Sequence, residues 1–429
     1  MSTNGNRPLL LGLLGLACAI PAHAETLYST ADDWLLWPDA GRFAAYPLEP
    51  RTDPIRFDAY AGAVRDSNLF RLADDDPALA LLGNDDTSDV VRRIGADVDG
   101  QLELSQQKLL FGANVARNSF QNFDDLDNTS YRGDIDWQWK LGGSWSGTLG
   151  GSREQALSDF AELQAPIRDL ITEDHAHFTA AFQFLPSWRL RGGYQYAKYE
   201  HSNDLRTILD NDAQSAIVGI DYVSPAQTFV GLQYQATQGQ YPNRQLVATS
   251  LVDNDYKEYE SSLVFGWPFS GRTRFDARAG YTQRRYDDVP QRNFDGPTGR
   301  ATLSYSLTPK TLIDLTGYRE ISSVEDLDAS YVVAKGGKLG FAWAPSLKAV
   351  LQFEVKYEDR DLEGNPGFVL GLGPRRQDIT KGARIGAGFR PWGGMFEMAL
   401  GYEVGRRTSN VDLAEYDYNA AMANFNFRF

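Results

Sequence analysis

The chain has 429 residues, with 57 acidic against 42 basic side chains, a formal charge of −15 and a mean hydropathy of −0.41. That balance excludes a nucleic-acid partner, which needs a basic face, and beyond the first two dozen residues no stretch approaches the roughly 18 unbroken apolar residues of a transmembrane helix. Yet aromatic residues make up 12%, with 23 Phe, 21 Tyr and 9 Trp. A polar average combined with many rings is what a transmembrane β-barrel gives, because lipid-facing and lumen-facing residues alternate and cancel.

At the N-terminus, "PLLLGLLGLACAI" (8–20) is an apolar run too short to cross a bilayer, and Ala22-His23-Ala24 forms an A-x-A cleavage signal. This predicts a secretory signal peptide over 1–24, cut before Glu25. The alternative is a lipid anchor on Cys18, but Gly15 stands where such sites want Leu. Cys18 is the single cysteine, so the exported chain has no disulfide and draws its stability from backbone pairing and burial. Residues 25–54, with four prolines and a clumped "WLLWP", are expected to form a periplasmic extension that folds back as a small plug; the plain alternative is a flexible leader.

From residue 55 onward the dominant pattern is alternation. "IRFDAYAGAVR" (55–65) opens it. "RTRFDARAGYTQR" (272–284) sets Phe275, Ala277, Ala279 and Tyr281 against Arg274, Asp276, Arg278 and Arg284. "LKAVLQFEVKYE" (347–358) sets Leu351, Phe353, Val355 and Tyr357 against Lys348, Glu354 and Lys356. "GMFEMALGYEVG" (394–405) places Phe396, Met398, Leu400, Tyr402 and Val404 opposite Glu397 and Glu403. Period-2 runs of about ten residues are strands, and longer than ordinary globular ones. Membrane-crossing strands need about nine to eleven residues because they are tilted.

The connections alternate short and long. Prolines mark six short ones, at Pro186, Pro225, Pro268, Pro309, Pro345 and Pro391, spaced 36 to 46 residues apart. A tight turn tolerates a residue with fixed φ and no N–H. "LSQQK" (104–108) and "LGGSW" (141–145) continue the series. Eight short turns join sixteen strands, and one strand at each end gives eighteen, an even number as bacterial barrels have. A β-propeller is the rival for such a period, but its strands are shorter and no blade signature recurs. The fold class is therefore all-β: a transmembrane antiparallel barrel over 55–429, with short periplasmic turns and longer extracellular loops. One strand, "ASYVVAKGGKLGFAWA" (329–344), would point Lys335 at lipid if Phe341 faces outward, and a bulge at Gly336-Gly337 is the expected repair. The closing "AMANFNFRF" puts Phe425, Phe427 and Phe429 on one face, the lipid face of a last strand that pairs with the first. A terminal strand ending in Phe resembles the signal read by the outer-membrane assembly machinery.

The other face is mixed in charge. Arg189, Arg191, Glu258, Glu260, Arg274, Asp276, Arg278, Lys348, Glu354, Lys356, Arg384, Glu397 and Glu403 are assigned to the pore wall by alternation, with Arg93, Asp97, Asp99, Glu103, Arg132, Asp134 and Asp136. For most of them the bland reading is cross-strand salt bridges that stiffen the wall. Tyr60, Tyr199, Tyr318 and Tyr418 fall on the same face, where rings suit sugar C–H surfaces. There is no G-x-S-x-G, H-E-x-x-H or C-x-x-C, so no catalytic residue, cofactor or metal is expected; His175 and His177 share a face but lack an identifiable third ligand.

"FDAYAGAVRDSNLFRL" (57–72), "DWQWKLG" (136–142) and "GYQYAKYEHSN" (193–203) carry a resemblance, over the whole exported chain, to the EpsL-like outer-membrane β-barrels encoded with exosortase and exopolysaccharide operons. The resemblance implies a passive outer-membrane conduit for a biofilm polysaccharide, working beside periplasmic and inner-membrane synthesis components. The alternative reading is a diffusion porin for sugars or other small solutes, narrowed by an inward-folded loop for which "LEGNPGFVLGLGPRR" (362–376) is the candidate. A third is an outer-membrane hydrolase using His175 or His177.

Overall fold

The computed structural model describes residues 54–74, 86–243, 245–247, 250–322, 331–363, 375–391 and 395–429. The expected signal peptide and nearly all of the 25–54 extension lie outside them. The strands are β1 (Ile55–Asp66), β2 (Asp89–Leu104), β3 (Gln107–Phe120), β4 (Asn128–Leu141), β5 (Trp145–Leu157), β6 (Leu170–Leu185), β7 (Trp188–His201), β8 (Asn211–Val223) and β9 (Phe229–Gln240). A short ribbon, β10 (Gln245–Val247) and β11 (Ser250–Val252), follows. Then come β12 (Tyr256–Ser270), β13 (Thr273–Tyr286), β14 (Phe294–Thr308), β15 (Thr311–Ser322), β16 (Tyr331–Ser346), β17 (Ala349–Glu363), β18 (Gln377–Phe389), β19 (Phe396–Ser409) and β20 (Tyr416–Arg428).

All but the ribbon form one 18-stranded sheet in which each strand pairs antiparallel with its sequence neighbours and β9 pairs with β12. β1 also pairs with β20, Ala61 opposite Phe425 and Ala59 opposite Phe427, so the sheet closes and leaves no edge. In hydrocarbon an unpaired backbone group costs several kcal/mol, and closure removes every one along the seam.

The faces are inverted relative to a water-soluble protein. Along β12, Glu258, Glu260 and Ser262 are buried while Tyr259, Leu263 and Trp267 are exposed. Arg284 is 1% and Asp221 0% exposed, whereas Leu232 is 61% and Leu263 55% exposed. A continuous apolar exterior of this size is stable only against lipid. Trp145, Trp188, Tyr222, Trp267 and Trp343 ring the short-turn end of that exterior, and Tyr194, Tyr234, Tyr259, Tyr281, Tyr357 and Tyr402 stand higher on it. Two such girdles mark the two interfaces of a bilayer. This is a bacterial outer-membrane β-barrel.

With short turns periplasmic, both ends of the sheet, Ile55 and Phe429, lie at the periplasmic rim. Two expectations fail here. Pairing on both sides of β16 runs through Gly336-Gly337 without a register shift, so there is no bulge; Lys335 does point outward, but its strand extends beyond the lipid and it pairs with Asp359 at 3.0 Å. Pro268 and Pro345 sit not in the turns but in the last strand residues, where the β12–β13 and β16–β17 ladders shift register.

Candidate functional site

The connection between β5 and β6 folds into the lumen. Its sequence "SDFAEL" supplies an N-cap: Asp159 accepts a hydrogen bond from the Ala161 N–H at 2.8 Å and starts a one-turn helix, α1 (Phe160–Leu163), with Glu162 in its first turn. Gln164 ends the turn at φ 43°, in the left-handed region. That reversal turns its amide toward the segment after β1, where Nε2 donates to the Arg71 carbonyl at 2.8 Å.

Glu162 forms an ion pair with Arg360 on β17, and Arg407 on β19 approaches it at 3.6 Å while donating to the Ala161 carbonyl at 2.8 Å. From β5–β6 to β17–β19 there are eight strands one way around the barrel and five the other. The loop therefore crosses close to the width of the lumen. Asp378 holds Arg376 at 2.9 Å and faces Arg407 at 3.8 Å, completing the far-side anchor. Burial opposes ionisation of Glu162, but the cations of Arg360, Arg407 and Arg376 outweigh it and bring its pKa down to about 2. Asp159 is shifted the other way: burial, against the Ala161 N–H bond, pushes it up to about 6.

Apolar contacts lock the near side. Phe70, in the segment after β1, packs edge-on against Phe160 at 4.9 Å and Phe123 at 4.7 Å, within a buried cluster that includes Leu72, Val91, Leu126 and Leu157. Arg71 grips Asp66 with two bonds of 2.9 and 2.8 Å and lies 3.7 Å over the Tyr418 ring. A second buried cluster, with Tyr256, Tyr286, Phe294, Ile321 and Tyr331, fills the mouth beside β12–β16.

Below the mouth, the wall residues expected from alternation form networks. Arg189 and Arg191 both clamp Asp221, at 2.6 and 2.7 Å. Glu258 pairs with Arg284 at 2.7 Å, and Arg278 bridges Glu260 at 3.3 Å and Glu320 at 3.5 Å. Arg274 pairs with Asp276 along one strand at 2.5 Å, and Arg384 with Glu354 at 3.1 Å. Lys356 meets Glu358 at 3.4 Å, Glu397 meets Arg390 at 2.6 Å, and Glu403 accepts from the Tyr418 hydroxyl at 2.7 Å. Lys348 is different: it lies in the turn after β16, and its Nζ donates to the Pro391 carbonyl at 3.0 Å, at the periplasmic rim and off the wall.

The interior tyrosines do not offer free rings. Tyr60, Tyr199 and Tyr318 are buried. Tyr60 and Tyr418 lie flat over glycines of the next strand, so a Cβ on Gly95 or Gly405 would come within 2.5 or 2.4 Å of ring atoms. His175 and His177 share a face but part company, to Glu173 at 3.3 Å and Asp136 at 3.0 Å. Among the described residues, the three acidic groups whose oxygens gather within 4.8 Å are Asp58, Asp97 and Asp99. Arg56 neutralises two of them, at 2.7 Å from Asp58 and 2.9 Å from Asp99.

The candidate inward loop 362–376 lies mainly outside the described residues, and the loop that crosses the lumen is the one from Ser158 to Asp169. Glu162, Arg360, Arg376 and Arg407 were missed by sequence reasoning; the D-x-x-E at Asp159–Glu162, a helix start inside a strand-only pattern, was the available signal.

No family model and no curated protein matches the chain. Solved structures similar in fold include Pseudomonas aeruginosa OpdK with vanillate, 11% identical over 87% of this chain and 99% of that one, TM-score 0.44. P. aeruginosa OccK2 (OpdF) in complex with glucuronate is 10% identical over 88% and 96%, TM-score 0.46. A BenF-like porin from P. fluorescens Pf-5 is 8% identical over 88% and 99%, TM-score 0.47.

Proposed function

We propose that this barrel is a diffusion channel for small polar solutes, the second of the sequence-based readings, in place of an exopolysaccharide conduit. The observation that carries it is the pinned loop: α1 reaches from β5–β6 to Arg360 and Arg407, so chain occupies the lumen where a polymer would have to thread. An open barrel of this strand number is wide enough for an aqueous channel, and a loop across it leaves room for solutes of limited size. The wall below presents both signs of charge and many hydroxyls, which supports passage of polar or zwitterionic molecules over selection of one ion type. The buried tyrosines weaken the sugar-stacking argument that favoured a polysaccharide. No catalytic step is needed for this role.

Proteoliposome swelling with glucose, then a maltodextrin series of increasing length, tests the reading. The rate should fall steeply with chain length. Long dextrins entering at the rate set by their free diffusion, or a deletion strain that loses surface polysaccharide while polymer accumulates in the periplasm, would restore the export reading.

A further inference from the structure

The outer wall carries a basic arc at its extracellular rim. Arg65 (β1), Arg92 (β2), Arg117 (β3), Arg406 (β19) and Lys381 (β18) are all exposed and share the outward face with Ile94, Val115, Tyr402 and Val404 of the apolar band. Lys381 lies directly opposite Arg406. Arg92 is opposite Ala63, two residues below Arg65, and Ser119, opposite Arg92, is two above Arg117. From β1 to β3 this two-residue step offsets the stagger of tilted strands and holds Arg65, Arg92 and Arg117 at one height.

Elsewhere on the rim, cations are matched: Arg153 with Asp174 at 3.3 Å, Lys198 with Glu200 at 2.8 Å, Lys257 with Asp287 at 2.9 Å, Arg285 with Asp295 at 2.6 Å. On the arc, Arg117 meets Asp127 at 3.1 Å and Arg92 meets the neutral Gln121 at 3.2 Å. Arg65, Arg406 and Lys381 have no ion-pair partner among the described residues. Carboxylates stand beside the arc as well: Asp86 lies within the field of Arg65, Asp417 is opposite Arg406, and Asp359 and Asp361 on β17, next to the strand of Lys381, are both held by Lys335; with these and Asp127 counted the arc keeps a small positive excess. On a chain of charge −15, this concentration of cations just above lipid is selective.

We propose that the arc docks the phosphate-bearing headgroup of an outer-leaflet lipid, whose acyl chains lie along Ile94, Val115, Tyr402 and Val404. Guanidinium groups match phosphate oxygens with paired charge-assisted hydrogen bonds, and basic clusters at a membrane boundary recruit anionic lipid. The inference does not depend on what passes through the lumen.

The test is native mass spectrometry of detergent-solubilised protein titrated with a bisphosphorylated lipid A, its dephosphorylated form, and inorganic phosphate. Wild type should prefer the phosphorylated lipid by about tenfold or more, equivalent to about 1.4 kcal/mol. Arg65→Gln/Lys381→Gln/Arg406→Gln should lose that preference while keeping heat-modifiable gel mobility, and Lys257→Gln on the paired side should keep it. The single variant Lys381→Gln, with a partial loss, serves if the triple variant fails to fold. No preference in wild type, an unchanged preference in the variants, or equal competition by inorganic phosphate would each overturn the proposal.

Discussion

Glu162 and Arg360 lie 198 residues apart in sequence, yet they form an ion pair that joins two distant parts of the barrel wall through the lumen. The pair is largely withdrawn from solvent, and Arg407 stands against the same carboxylate. Removing one member of such a pair leaves the other buried and uncompensated, at a cost of about 3–5 kcal/mol. The seat of α1 is therefore the least redundant contact in the mouth, because the rest of the wall is held by a continuous ladder of backbone bonds.

The same seat should respond to pH from both sides. Asp159 is raised to about 6, so the folded loop binds its proton more tightly than the unfolded one, and this term weakens the seat as pH rises from about 4 through 6. Glu162 is lowered to about 2, so its contribution is present above about 4.5 and is lost as pH falls toward 2. Hydrogen exchange across 158–169 should show greatest protection between about pH 4 and 5. Asp159→Asn should flatten the neutral limb. A monotonic profile in wild type would refute the assignment.

Gly405 and Gly133 separate a packed notch from open lipid. A Cβ at Gly405 would meet the Tyr418 ring at 2.4 Å, while at Gly133 nothing stands within 4 Å. Gly405→Ala should lower unfolding stability by about 1–3 kcal/mol, and Gly133→Ala should leave it within about 0.5 kcal/mol. Urea unfolding in detergent or liposomes compares the two, and equal losses would contradict the packing described.

Lys335 and Leu339 locate the membrane boundary on one strand face. Lys335→Gln removes an exposed ion pair, worth about 0–1 kcal/mol. Leu339→Lys, four residues toward the periplasm, should cost about 2–4 kcal/mol if that site is near mid-bilayer. Comparable small losses at both positions would move the hydrocarbon band.

Asp221 is enclosed by Arg189 and Arg191. Asp221→Asn leaves two arginines without their carboxylate on the wall, so the reversal potential in a salt gradient should shift toward anion preference. An unchanged reversal potential would mean that these arginines do not face the conducting path.

Sequence showed the strands plainly because side-chain direction alternates residue by residue, a property of each strand alone. β13, β17, β19 and the Phe425–Phe429 terminus were legible on that basis. Lys335 misled because a strand continues its alternation after it leaves the lipid, so a charge in phase needs no bulge. Lys348 had the right parity but sits past the end of β16. The flattened tyrosines depend on which glycine lies opposite, such as Gly405 beside Tyr418, and that requires register between strands. Least legible was the constriction: the N-cap at Asp159 and the Glu162 that follows are local, but the partners of Glu162, Arg360 and Arg407, are distant in sequence.

The most direct measurement is single-channel conductance in planar bilayers of wild type and Glu162→Gln, with size exclusion read from neutral polymers of graded length. The account predicts a low wild-type conductance with a sharp polymer cut-off, and in the variant a higher conductance with the cut-off moved to larger polymers. Identical conductance and cut-off in the two proteins would show that α1 does not limit the lumen.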